Sequence, residues 1–461
     1  MIEKTKKTIN GRNKETLIER DLAHIWHPYT QMKDCETMPP IAIEKARGMK
    51  LYAEDGRVFY DTISSWWCNI HGHGHPVIRK AIKSQTDRLE HVLFAGFTHK
   101  PAVELAERLI DIVPKGLSKV FYSDNGSTAV EVALKMSIQY WQGAGKKEKR
   151  HFISFDMGYH GDTVGTMSVS GVDLYNKRFE GLFFKTFKAP TPYCYRCPCG
   201  MTKEKCSLEC FSRMEELVKA RAHETAAVIV EPLLLGAGGM IIYPAEYLRR
   251  LRALTEKYDV HLIADEVATG FGRTGKMFAC EHAGITPDFL CLSKGITSGY
   301  LPLAATLTTR KVFDAFYGDY ADFKTFFHGH TYTANPIACA AAVASLGLFE
   351  SERTLDNARR INTKLKGFLR KMSRLEIVGD TRSIGVVGAM ELVKDRATKE
   401  AFGPKRRIGL EIYKRGLEKG LLLRPLGEII YFFLPLSVTA RELDDIFFKT
   451  EGVMGEISCK L

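Results

Sequence analysis

No stretch of this sequence is apolar over the roughly 20 residues that a bilayer-spanning helix needs. The first twenty residues carry Lys4, Lys6, Lys7, Arg12, Lys14 and Arg20 without an apolar core, so they read as a polar arm and not as a secretory signal. Together these absences give the expectation of a soluble, cytoplasmic protein. Internal repeats and low-complexity segments are also missing, which excludes solenoid, fibrous and disordered classes. There is no Gly-x-Gly-x-x-Gly following a first strand and no Walker lysine, which argues against a nucleotide-binding protein. The net charge of +12 is scattered. Its densest run, Lys146-Lys-Glu-Lys-Arg150, has no interleaved aromatics and reads as a solvated loop, so neither nucleic acid nor membrane is expected as a partner.

Disulfide dependence is excluded in the same way. Of eleven cysteines, six are dispersed, several in apolar runs (Cys68, Cys280, Cys291, Cys339), as reduced intracellular thiols are. The other five, Cys194, Cys197, Cys199, Cys206 and Cys210, are clustered at spacings that suit a metal. Arg196 interrupts the first pair and no histidine completes a finger, so the expectation is a loop of thiols without metal, dispensable for catalysis.

What is present is material for a large core, at 45% hydrophobic residues in 461. Short apolar runs at 119–123, 151–155, 227–230, 261–264, 289–292 and 303–307 alternate with helical patterns. This predicts an α/β fold whose large domain is a doubly wound, mostly parallel sheet. Val130, Ala133, Leu134, Ile138 and Trp141 recur at helical spacing, which predicts an amphipathic helix after the first strand. Residues 51–60 read as a hairpin through Asp55-Gly56. Past Asn335 comes an alanine-rich helix, then an α+β pattern with strands near 384–392 and 429–434. The expected division is an arm and part of a small domain at 1–70, a large domain at 71–335, and a connecting helix with the rest of the small α+β domain at 336–461.

Two residues direct the chemistry. Lys294 follows one apolar run, Asp288-Phe-Leu-Cys-Leu-Ser-Lys294, and Asp265 closes another, Val260-His-Leu-Ile-Ala-Asp265. A lysine and a carboxylate at the ends of neighbouring buried strands suit pyridoxal 5'-phosphate, whose aldehyde takes an amine and whose ring nitrogen takes an anion. Ser123-Asp-Asn-Gly126-Ser127-Thr128 joins a strand to a helix, where free backbone amides and the helix dipole favour a phosphate. The same residues also serve as a helix cap. With the lysine downstream, the phosphate reading is preferred.

Gly126-Ser127-Thr-Ala-Val-Glu131, Ile263-Ala-Asp265-Glu266-Val267-Ala-Thr-Gly-Phe-Gly-Arg273-Thr-Gly and Ser293-Lys294-Gly295 together resemble the class III aminotransferases. That resemblance spans the chain from about residue 24 and implies the fold-type I pyridoxal-phosphate architecture. It implies that Asp265 pairs with the pyridine nitrogen, that Val267 lies behind the ring, and that Tyr159, in Gly158-Tyr159-His160-Gly161-Asp162, lies over it and faces the substrate. Trp26-His27-Pro28-Tyr29-Thr30 and Ser64-Ser65-Trp66-Trp67 resemble substrate-recognition segments of the biotin-synthetic branch. That branch implies 8-amino-7-oxononanoate as amino acceptor and S-adenosylmethionine as donor, with lysine the alternative donor. Tyr29 and Trp66 would line the substrate pocket, Tyr29 beside the chemistry, and Arg424 in Leu423-Arg424-Pro425 would take the acceptor's carboxylate.

His328-Gly329-His330-Thr331-Tyr332 resembles the family's interface segment. It implies a homodimer in which Gly329 approaches the substrate, His330 the cofactor, and Thr331 the cofactor phosphate of the other subunit. Departures from the common family pattern are His330, Ser293, Ser298 and Leu235, which bear on the shape of the pocket and not on Lys294. The competing expectations are a class III transaminase for ornithine, acetylornithine or 4-aminobutyrate, and, from another class, a nucleotide-binding or redox protein using the Gly126 loop and the cysteines.

Overall fold

Three runs of the chain, Thr225–Val230, His261–Asp265 and Phe289–Leu292, are buried at every residue. Strands without a wet face belong in the middle of a sheet covered on both sides. They form the centre of a seven-stranded sheet in the order Leu117–Ser123, Ala304–Thr309, Phe289–Leu292, His261–Asp265, Thr225–Val230, His151–Phe155, Thr186–Ala189. The computed structural model describes residues 16–202 and 205–461; the predicted basic arm positions Lys4, Lys6, Lys7, Arg12 and Lys14 lie outside them.

The expected doubly wound sheet is present, with one strand reversed: Ala304–Thr309 runs antiparallel to both neighbours. The edge strand Thr186–Ala189 escapes a search for apolar runs because Lys188 interrupts it. That lysine is an exposed residue whose ammonium donates to Ser154 Oγ at 2.9 Å and to the Ser170 carbonyl at 2.8 Å, so protein groups share in solvating its charge. Lys149 corrects a second expectation. It is 5% exposed, donates to the carbonyls of Ala222 and Asp259, and its ammonium lies 4.4 Å from the Trp141 ring. The run 146–150 is therefore not uniformly solvated.

The predicted amphipathic helix is Gly126–Gly143, capped by Asn125, whose side chain accepts the Thr128 amide while the Thr128 hydroxyl accepts the Asn125 amide. The alanine-rich helix is Pro336–Ser351; its small side chains allow close packing against Pro76–Thr86 and Lys100–Ile112. The predicted hairpin joins Lys50–Ala53 to Val58–Tyr60, with Ile43–Arg47 as a third strand. Tyr60 donates to the Gly420 carbonyl and Leu422 to the Tyr60 carbonyl, which ties this N-terminal sheet to the C-terminal region. There Val378–Ile384, Val387–Leu392 and Ile429–Phe433 make an antiparallel sheet. Helices Thr354–Met372 and Ala440–Ser458 pack together beside it, with Phe368 and Phe447 stacked at 4.2 Å. Among the described residues no helix is long and apolar enough to cross a membrane.

Candidate active site

The parallel strands of the large sheet all end on one side, and in such sheets ligands bind beyond the carboxyl ends. Gly126 follows one strand end, Tyr159 another, Glu231 a third, Asp265 closes a fourth and Lys294 follows a fifth. Asp265 pairs in register with Cys291, which places Lys294 three residues past its neighbour. A cavity of about 570 Å³ opens there, lined among others by Gly126, Ser127, Tyr159, Asp265, Val267 and Lys294. The structure thus brings together six residues expected from separate motifs.

Asp265 is 4% exposed, and its oxygens are held differently. Oδ2 is 2.8 Å from Nδ1 of His160, and Oδ1 accepts the Val267 amide at 3.2 Å. Lys294 is half-buried with its head in the cavity, 4.5 Å from the centre of the Trp67 ring. Burial lowers its pKa below the usual ammonium range, while Asp265 and Glu231 pull the other way. Burial prevails, favouring the free amine. Glu231 accepts the amides of Tyr159 and Gly236, each at 2.9 Å, and burial, followed by the charge of Asp265, pushes it up to about 8.

At the other end of the cavity, Gly126 and Ser127 open an 18-residue helix, where backbone amides lack intrahelical acceptors. The space around them leaves no room for larger residues. A Cβ on Gly126 would stand 2.7 Å from Val267 Cγ1, and one on Gly161, whose φ is +131°, would stand 2.2 Å from Ser127 Oγ.

A second chamber of about 480 Å³ shares Lys294, Trp67 and Tyr159 with the first and adds Tyr29, Trp66, Tyr175 and Arg424. Tyr29 donates to Asp162 Oδ1 at 2.6 Å and packs edge-on against Trp66 at 5.6 Å; burial and the Asp162 bond keep its phenol protonated. The Arg424 guanidinium lies 4.9 Å from the Trp66 ring, and among the described residues no carboxylate pairs with it. Trp26, from the same motif as Tyr29, is 87% exposed and lines neither chamber. Gly329, His330 and Thr331 do not line their own chain's chambers either, although His330 Nδ1 reaches Asp124 Oδ2 at 2.6 Å on the cavity rim.

The class-III aminotransferase family matches residues 31–453. The chain belongs to the class-III aminotransferases. The aminotransferase is 51% identical over 444 residues to the adenosylmethionine-8-amino-7-oxononanoate aminotransferase of Geobacter sulfurreducens, covering 95% of this chain and 96% of the relative. The crystal structure of the corresponding Methanocaldococcus jannaschii enzyme superposes with a TM-score of 0.91 at 42% identity, over 95% of this chain and 98% of that one. The omega transaminase of Pseudomonas jessenii in complex with PMP gives 0.92 at 31% identity, over 97% and 99%.

The cavity fits pyridoxal 5'-phosphate, the cofactor of this class. The Gly126 and Ser127 amides of a helix N-terminus stand at one end and a buried carboxylate with a lysine at the other, and Gly126 and Gly161 sit where a Cβ would press on Val267 and Ser127 of the lining. His160, Glu231 and Trp67 are cavity residues for which the sequence suggests no role by itself. Their signal was adjacency to the motifs, since His160 follows Tyr159 and Trp67 follows Trp66. Among the described residues no group of three or more His, Cys, Asp or Glu is placed to hold a metal ion. The cysteine loop is anchored at its start by bonds from Tyr193 and Arg196 to Glu391.

Proposed function

We propose that this aminotransferase moves an amino group from S-adenosylmethionine to 8-amino-7-oxononanoate, the acceptor named in its relatives, yielding 7,8-diaminononanoate for biotin synthesis. The observation that carries the reading is Arg424: an arginine without a carboxylate partner among the described residues, held against Trp66 in the chamber beside Lys294, suits the carboxylate of an oxo acid. Pyridoxal 5'-phosphate, when bound, supplies an aldehyde that carries the amino group and a cationic ring that withdraws electrons.

The protein's own residues do the rest. The Gly126 and Ser127 amides hold the phosphate, Asp265 keeps the ring nitrogen protonated, and Val267 and Tyr159 flank the ring. Lys294 Nζ, with its free amine favoured by burial, would move the proton off the donor's amine-bearing carbon within the first half-reaction and deliver a proton to the acceptor's carbon in the second. Tyr29 and Trp66 offer aromatic surface to the donor, and Tyr29 with Asp162 borders the reacting end.

The active unit is a homodimer, in which Thr331 reaches the partner's phosphate, His330 its cofactor and Gly329 its substrate. Supporting this, Tyr320, Phe323, Phe327 and Tyr332 around that segment are 88, 74, 77 and 64% exposed, a run of aromatics that a monomer would leave in water. The boundaries 1–70, 71–335 and 336–461 and a cytoplasmic location belong to the same reading. Mass spectrometric detection of the diamine formed from 8-amino-7-oxononanoate, with S-adenosylmethionine and then lysine as donor, tests it. Absence of product with every donor, alongside amino transfer from ornithine-type substrates to an oxo acid, refutes it.

A further inference from the structure

Ser64, Ser65, Trp66 and Trp67 have φ values of 53°, 46°, 73° and 75°. Four successive non-glycine residues in the left-handed region make a left-handed turn, at a cost of about 1–2 kcal/mol per residue. Such a segment persists only where its surroundings over-determine it. Tyr29 and Lys294, which share the substrate chamber with this turn, are also left-handed, at 51° and 44°.

The turn is held from two sides. Asp61, fully buried, accepts the Ser65 amide at 2.8 Å and the Ser65 hydroxyl at 2.7 Å. On the other side stands Arg273, 1% exposed and among the largest fully buried side chains. Its Nη2 donates to the carbonyls of Trp67 at 3.0 Å and Asn69 at 2.8 Å; its Nη1 donates to the Leu434 carbonyl at 2.7 Å and to Ser64 Oγ at 3.2 Å. Among the described residues no carboxylate pairs with it; the buried cation is held by three backbone carbonyls and the Ser64 hydroxyl, while its Nε is buried without a hydrogen-bond partner, so its desolvation is only partly offset. Its guanidinium also lies 4.9 Å from the Phe433 ring; Phe433 stacks on Trp67 at 5.4 Å, and Trp67 faces Lys294 Nζ at 4.5 Å. A continuous series of contacts therefore runs from Arg273 to Lys294.

We propose that Arg273 is a positioning residue for amino-group transfer, holding the left-handed turn 64–67 so that Trp66 enters the substrate chamber while Trp67 covers Lys294. This rests on the aminotransferase reading above. The turn divides two tasks: with both tryptophans in one strained unit, a tilt moves the substrate wall and the lysine's neighbour together.

The test uses Arg273→Lys, Ser65→Gly and the double variant, with kcat measured per bound cofactor. The pH titration of the cofactor absorbance band and the near-ultraviolet circular dichroism of the cofactor-free protein serve as readouts. The expected result for Arg273→Lys is a fall in kcat of about 10- to 100-fold, as misplacement on the ångström scale gives, with a displaced band titration and an altered tryptophan signal. Glycine adopts the left-handed region without penalty and keeps the residue-65 amide bond to Asp61 while giving up the hydroxyl bond, so adding Ser65→Gly should recover part of the loss. A merely structural role would lower the melting temperature and leave kcat per bound cofactor and the band unchanged; that outcome overturns the proposal, as does an absence of recovery in the double variant. If Arg273→Lys yields no soluble protein, Ser64→Ala decides. It removes one anchor of the guanidinium and should displace the band in titration and the tryptophan signal, whereas unchanged spectra with unchanged kcat overturn the proposal. A wild-type protein without any cofactor band refutes the functional reading instead.

Discussion

The imidazole Nδ1 of His160 stands 2.8 Å from Asp265 Oδ2, with both residues buried, so one oxygen of the carboxylate is already engaged by protein. Among the described residues the other accepts only the Val267 amide, at 3.2 Å. An anion fixed in this way can act on a ring nitrogen without first reorganising. Asp265→Asn preserves shape and loses the charge, so turnover should fall by about 10²–10³-fold even with cofactor bound. Wild-type kcat in a fully loaded Asp265→Asn enzyme would rule out the role.

Lys294→Ala should remove the absorbance band of lysine-linked cofactor and lower turnover by on the order of 10⁴-fold, since both the covalent tether and the proton carrier are lost. Far-ultraviolet circular dichroism should stay unchanged, because Lys294 supports no strand. Substantial activity in this variant would assign the chemistry elsewhere.

Much of this was legible in the sequence for a physical reason. The strands 225–230, 261–265 and 289–292 are buried on both faces and so read as continuous apolar runs, and the chemistry sits where those runs stop. What was not legible depends on long-range contact. Lys188 hides an edge strand because its charge is satisfied by Ser154 and Ser170, and Lys149 is buried against Trp141 within a run that looks solvated. His160, Glu231 and Trp67 gain their places from strands and loops far along the chain. The contribution to a partner proposed for Thr331 rests on a motif, and one chain by itself leaves that residue outside both chambers.

Thr331 therefore yields a prediction about assembly. Sedimentation should show a dimer. Mixing inactive Lys294→Ala chains with inactive Thr331→Ala chains should restore activity, since one site of each heterodimer would carry both wild-type residues. A fully active monomer would refute the arrangement.

Glu231 makes stability depend on pH with a definite sign. Its pKa rises from 4.5 to about 8 on folding, chiefly through burial. The folded state holds the proton more tightly, so the associated stability is complete below about pH 4.5 and is lost as pH climbs through about 8. Each tenfold gain in proton affinity is worth about 1.4 kcal/mol. In cofactor-free protein, Glu231→Gln should flatten this slope between pH 5 and 8, whatever constant offset the amide introduces at the Tyr159 and Gly236 amides. Parallel melting curves for the two proteins across that range would show that Glu231 titrates normally.

The proposed choice of amino donor rests on the surface made by Tyr29, Trp66 and Tyr175. Tyr29 packs edge-on against both Trp66, at 5.6 Å, and Tyr175, at 5.3 Å, so the three form one aromatic corner beside Lys294. An adenosyl group can stack there and its sulfonium can lie over a ring, each good contact being worth on the order of 1 kcal/mol. A lysine donor brings a cation but no heterocycle, and so takes only part of that gain. S-adenosylmethionine is therefore expected to support faster transfer than lysine, and Trp66→Val should cost it about fivefold in kcat/KM, the equivalent of one such contact, with less effect on lysine. Steady-state rates with both donors, for wild type and variant, check this. Efficient transfer from lysine with S-adenosylmethionine inert would reassign the donor and leave the roles of Lys294 and Asp265 untouched, because those residues act on the cofactor and not on the group that distinguishes the donors.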